Sequence, residues 1–148
     1  MTFIPKEEYD KILACLPILC VDCVITYEGK CLLLRRTNDP AKGHYWFPGG
    51  RLNKGELIAD AAIRKAREEI CLTCHFDKII SIEETMFPKE GNMTCDVHTV
   101  NVCCHLVALS QENIKIDNNH DDYIWANVEQ ALQLKVHEGV INPMRKCQ

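Results

Sequence analysis

Between Gly49 and Leu72 the chain reads "GGRLNKGELIADAAIRKAREEICL", and most of its possible chemistry is there. A Gly-Gly loop lets backbone amides and carbonyls approach a ligand closely, and a helix that follows it can aim carboxylates at the same point. Adjacent Glu68 and Glu69 are candidate ligands for a divalent cation. Asp60, Arg64 and Glu68 recur at four-residue spacing, so the arginine can orient a carboxylate. Lys65 stands four residues before Glu69, an ammonium beside a proposed ligand. Taken alone, "RKAREE" also reads as a solvated charged face with ordinary surface ion pairs. Outside this segment, Asp22 interrupts an apolar run and needs a donor if it is buried. His120 sits among polar residues in "NNHDDY", a setting that suits a surface turn as well as a proton acceptor.

These groups must be positioned by elements whose periods change along the chain. Pro5 opens an amphipathic stretch with Tyr9, Ile12, Leu13 and Leu16 at helical spacing. "PILCVDCVITY" and "KCLLLRRT" are strand-like, joined by a hairpin turn around Gly29. "NDPAKGHYWFPGGRLNKGE" is expected to be a long loop, with Tyr45 and Trp46 as its anchors or as packing for a ligand. A helix is expected from about Leu57 to Ile70, with Glu56 at its start and Ile58, Ala61, Ala62, Ile63 and Ala66 along one side. "KIISIEETMF", "VHTVNVCCHLVAL" and "DYIWANV" read as strands. "VEQALQL" and "VHEGVINPMRK" read as short closing helices, the last interrupted or ended near Pro143. Strands on both sides of one central helix predict an α/β (α+β) domain, a mixed β-sheet sandwiched between α-helices.

At 148 residues and 47% hydrophobic, the chain is expected to form a single domain over residues 1–148. A net charge of −4 gives no broad footprint for nucleic acid or anionic membrane, so any phosphate must be bound locally. The N-terminus lacks the pattern of a secretory signal, and a cytoplasmic protein is expected. Ten cysteines lie mostly in apolar runs and read as reduced core thiols. The pairs Cys20/Cys23 and Cys71/Cys74 have zinc half-site spacing without knuckle loops.

The spacing from Gly50 through Glu56, Arg64, Glu68 and Glu69 to Leu72 resembles the Nudix box, G-x5-E-x7-R-E-U-x-E-E-x-G-U, where U is a bulky aliphatic. Three positions depart from it: Lys65 replaces a glutamate, Ala66 replaces an aliphatic, and Cys71 replaces the late glycine. The resemblance implies the Nudix fold and hydrolysis of a nucleoside diphosphate derivative with Mg²⁺, or Mn²⁺ in its place. Losing a carboxylate and gaining an ammonium disfavours a second metal in that corner, which leaves a one-metal site.

"RTNDPAKGHYWFPGGRL", "PILCVDCVI" and "HDDYIW" extend the likeness to the GDP-mannose mannosyl hydrolase branch, which cuts the sugar C1–O bond and inverts the anomeric carbon. That resemblance implies His120 as general base. It also implies Arg36 and Arg51 as diphosphate contacts that stabilise the leaving group, and Asp22 and Arg64 as substrate-binding groups. Asp22 would meet sugar hydroxyls or an arginine such as Arg64. Metal binding would fall to Glu69 and the Gly49 carbonyl, with Glu68 and Asn119 as further ligands. Arg35 has no counterpart and reads as solvated. Thr99, and Met86 or Phe87, fall where the branch has other substrate contacts, which leaves GDP-mannose, GDP-glucose and other nucleotide sugars open. A homodimer is implied, the first helix serving either an interface or the core. Two rival readings remain: a pyrophosphohydrolase attacking phosphorus, and a non-catalytic nucleotide-sugar sensor.

Overall fold

A computed structural model describes residues 3–147. Its centre is β1 (Ile18–Tyr27), which runs parallel to β6 (Val97–Ala108) in register from Ile18↔Thr99 to Thr26↔Val107. Such a pair is covered on both faces, so β1 is apolar almost throughout instead of alternating. β2 (Lys30–Arg36) meets β1 only at the hairpin, at Thr26↔Cys31 and Tyr27↔Lys30. Glu28 and Gly29 both have positive φ, 48° and 76°, the backbone that a two-residue hairpin of this hand requires. β2 then leaves β1 and pairs with β3 (Tyr45–Trp46) and β7 (His120–Ala126). The gap on β1 is taken by β4 (Gly49–Arg51), and β5 (Cys74–Phe87) flanks β6. The result is a seven-stranded mixed sheet with the path β3-β2-β1-β6-β5. The segment expected to be one long loop therefore carries two short strands, because the open edges of β1 and β2 supply partners for its backbone.

Helix α1 (Lys6–Cys15) precedes the sheet, α2 (Ile58–Ile70) covers one face, and α3 (Val128–Gln133) and α4 (Glu138–Lys146) lie on the other side. Alternate residues feed two cores. Val21, Cys23, Ile25, Val102, Cys104 and Leu106 pack with Ala61, Ala62, Ala66 and Ile70 of α2. Val24, Leu33 and Cys103 pack with Ala131, Val140, Ile141 and Met144 of the two C-terminal helices. The sandwich expected from the element order is thus formed.

Four local expectations change. Glu56 lies before α2, whose N-cap is Leu57. Lys65 and Glu69 join Ala61, Ala62 and Ala66 on the buried face of α2. Pro143 sits inside α4 and does not end it, since Val140, Ile141 and Met144 anchor that helix in the core and offset the missing hydrogen bond. α1 contributes no buried residue, and Leu16 is its exposed C-cap. All ten cysteines are free, with Cys20, Cys23, Cys31, Cys74, Cys103 and Cys104 buried. No helix among the described residues is long and apolar enough to cross a membrane.

Candidate active site

The site begins where β4 is pressed against β1. Gly49 pairs with Asp22, and a Cβ on Gly49 would collide with the Val21 carbonyl and lie 2.9 Å from Asp22 Oδ1. Only glycine permits that approach, and it brings the Gly49 amide within 3.0 Å of Glu69 Oε2. The other oxygen of Glu69 is held by Lys65, Nζ to Oε1 2.8 Å, one helical turn earlier. Both side chains are about nine-tenths buried, at 10% and 9% exposure. Burial, the largest single influence, disfavours the Lys65 ammonium, but the charges and hydrogen bonds of Glu69 and Glu68 together outweigh it and hold the lysine above its usual pKa. Lys65 also reaches Glu68, at 3.4 Å.

Arg64 is committed elsewhere. Its guanidinium grips Glu56 through two bonds of 2.6 and 2.8 Å, meets Glu68 at 3.2 Å and donates to the Arg51 carbonyl at 3.3 Å. The fork ties the loop to the helix. Arg64 pairs with Glu56 instead of Asp60 and does not line the cavity described next.

A cavity of about 440 Å³ opens beside this corner, with Asp22, Arg36, Gly49, Gly50, Arg51 and Glu69 in its wall. Asp22 is buried and accepts from Asn101 Nδ2 at 3.0 Å and Trp46 Nε1 at 3.3 Å. Those donors, and not Arg64, meet the carboxylate. Burial pushes the Asp22 carboxyl up to about 6, with nearby Glu69 adding to the rise and the two hydrogen bonds opposing it. Thr99 Oγ1 donates to Asn101 Oδ1 at 2.6 Å, so a short polar chain runs from β6 to Asp22 on β1. Arg36 is anchored by its Nε on the Pro40 carbonyl at 2.8 Å, and burial lowers its pKa. The Arg51 guanidinium lies 4.5 Å from the centre of the Tyr9 ring.

His120 begins β7; it does not lie in a loop. It is the ladder partner of Arg36 at a register shift between Arg35 and Arg36. Its Nδ1 is 2.6 Å from Asp117 Oδ1, and its side chain is only 5% exposed. That bond assigns the proton to Nδ1 and leaves Nε2 the basic nitrogen. His120 does not itself line the cavity. Arg35, at the surface, pairs with Asp121 at 2.7 Å.

The three expected side-chain metal ligands are not poised alike. Glu69 has one oxygen on the Gly49 amide and the other on Lys65. Glu68 is part exposed and shared between Arg64 and Lys65. Asn119 accepts from Asn38 at 2.7 Å and donates to Asp117 at 3.1 Å. Among the described residues no three His, Cys, Asp or Glu side chains converge as a metal set. With an ammonium already seated between the two glutamates, these donors do not fit a resident Mg²⁺ or Mn²⁺ centre.

Residues 17–147 match the family model for the NUDIX domain. The chain belongs to the Nudix family. Nudix proteins are hydrolases of nucleotide derivatives, generally with Mg²⁺ or Mn²⁺. This Nudix chain is 33% identical to the low-salt glycan biosynthesis protein Agl8 of Haloferax volcanii, over 80% of its own length and 76% of that protein. A shorter match, 40% identical over 36% of the chain and 31% of the relative, is to the ADP-ribose pyrophosphatase of Methanocaldococcus jannaschii. The fold superposes on a MutT protein from Methanosarcina mazei with a TM-score of 0.72 at 21% identity, covering 88% and 92% of the two chains. The Nudix domain of Shewanella oneidensis NrtR, solved with ADP ribose, gives 0.63 at 19% identity and covers 97% of each chain.

Three features of this Nudix site escaped the sequence reading. Asp117, which orients His120, is an unremarkable acid in a polar loop. Tyr9 and Asp10 of α1 line the cavity from far away in sequence. Asn101 had a usable signal: Thr99 and Asn101 put two polar side chains on one face of an apolar strand, as Asp22 does on its neighbour.

Proposed function

We propose that this Nudix hydrolase acts on a nucleoside diphosphate sugar, GDP-mannose first and GDP-glucose next, releasing GDP and free sugar. Water attacks sugar C1, the C1–O bond to the diphosphate breaks, and the anomeric carbon inverts. His120, the ladder partner of the cavity-lining Arg36, is the base: a sugar extending past Arg36 toward β7 presents the attacking water to Nε2 while Asp117 holds Nδ1–H. Arg36 and Arg51 meet the charge that grows on the departing diphosphate. Asp22, steadied by Asn101 and Trp46, receives sugar hydroxyls.

The observation that carries this reading is the Lys65–Glu69 pair. Attack on phosphorus calls for metal-activated water at the helix carboxylates, and that corner is already filled by an ammonium. A separate histidine–aspartate dyad supplies a base elsewhere. The glycan-biosynthesis name of the Haloferax relative agrees with a sugar nucleotide. We infer also a cytoplasmic homodimer, for which α1, with no buried residue, is the available interface element.

Turnover of GDP-mannose in ¹⁸O-water, with and without Mg²⁺, tests the reaction. Label in the sugar with unlabelled GDP is expected. Label in a phosphate of GMP or sugar phosphate would establish phosphorus attack, the activity named for the Methanocaldococcus relative. No turnover of any nucleotide sugar would favour a sensor.

A further inference from the structure

We propose that the Lys65 ammonium is the resident counter-ion of this site, neutralising Glu69 so that the wall it shares with Gly49 accepts a nucleoside diphosphate without a divalent cation. The inference rests on the nucleotide-sugar reading and adds to it what balances the charge.

Glu69 and Asp22 both face the cavity that would receive the diphosphate, so two carboxylates stand where two more negative groups must come. Anions are not brought together in a part-buried cleft without compensating charge. Arg36 and Arg51 supply some of it from the same wall. Lys65 supplies the rest from beneath. Its Nζ contacts Glu69 at 2.8 Å and Glu68 at 3.4 Å. Its stem fills the space beside Gly50, where a Cβ would lie 3.0 Å from Lys65 Cε and 3.3 Å from Nζ. The ammonium therefore lies between helix and loop, 10% exposed and held by both glutamates. A dication approaching Glu69 would meet that fixed positive charge and would have to share a carboxylate whose two oxygens are already engaged. The lysine occupies, covalently tethered, the electrostatic place of a metal.

Replacing Lys65 by methionine keeps most of the apolar stem and removes the charge with its donors, leaving Glu69 to repel the diphosphate unless a metal replaces the ammonium. GDP binding by titration calorimetry, in EDTA and in Mg²⁺, separates the possibilities. For the unaltered protein the two dissociation constants are expected to agree within about threefold, well under the tenfold or more that one charged hydrogen bond carries. For Lys65→Met, affinity in EDTA is expected to fall about tenfold or more and to recover in Mg²⁺. A purely structural lysine would give no such metal rescue. Lys65→Glu is expected to gain binding of Mn²⁺ alone, read by electron paramagnetic resonance.

GDP binding by the unaltered protein only in Mg²⁺, or tight Mn²⁺ binding without nucleotide, would overturn the inference and leave the nucleotide-sugar reading intact. A Lys65→Met protein that binds GDP equally with and without metal would also overturn it. No GDP binding under either condition would remove the nucleotide-sugar reading and this inference together. The unaltered protein decides the question by itself should both variants fail to fold.

Discussion

Asp117 Oδ1 lies 2.6 Å from Nδ1 of His120, three residues on, and the imidazole it holds is buried beside Arg36 in the β2–β7 ladder. One carboxylate thereby selects the tautomer and the ring orientation.

For His120→Gln the rate of GDP-mannose hydrolysis is expected to fall about 10²-fold or more, the lower range for loss of a general base. Asp117→Asn should cost less, because Nε2 survives while its orientation loosens. Steady-state rates on the two variants check both; an unchanged rate for His120→Gln would remove the base from the proposed reaction.

Asp22 links pH to stability. Its carboxyl is held at about 6 in the fold against an ordinary 3.8, so between those values the native state binds a proton that the unfolded chain has released. Stability from this group is greatest below about pH 4 and is lost as pH rises through about 6, by roughly 3 kcal/mol in all. Asp22→Asn keeps an acceptor for Asn101 and Trp46 without titrating. Denaturant unfolding of both proteins from about pH 4 to about pH 8 should show the variant gaining on the parent by that amount as pH rises. A constant difference across the range would contradict the raised carboxyl.

Cys71 occupies a left-handed conformation, φ 57° and ψ 21°, where α2 ends. A side chain there costs roughly 1–2 kcal/mol, and glycine returns part of that gain as added freedom of the unfolded chain. Cys71→Gly should therefore stabilise the fold by about 1 kcal/mol, raising Tm by roughly 2–4 °C in a thermal scan. A lower Tm would mean that the thiol contributes contacts at this exposed position.

Much of this architecture was legible locally. The period of "LIADAAIRKAREEI" marks a helix, the apolar run of β1 marks a covered strand, and the spacing from Gly50 to Leu72 marks the Nudix box. Lys65 and Glu69 were neighbours by helical arithmetic, since residues four apart share a face. Asp22 stood out because a carboxylate in an apolar strand demands a partner.

Composition and local period specify which groups exist and which of them share an element: the acids, arginines and lysine of one loop and helix, and the strands flanking them. The partners across elements were decided by the tertiary structure. Asn101, and not Arg64, meets Asp22 because the parallel register of β1 and β6 brings Cys20 opposite Asn101, with Asp22 nearby on the same strand. His120 joins Arg36 because β2 abandons β1 for β7. Lys65 turns inward, buried against Glu69 and Gly50, because β4 fills the gap on β1 and closes over it. Helical period specifies neighbours within a few residues, whereas strand register, set by packing between distant segments, specifies those nearly eighty residues apart.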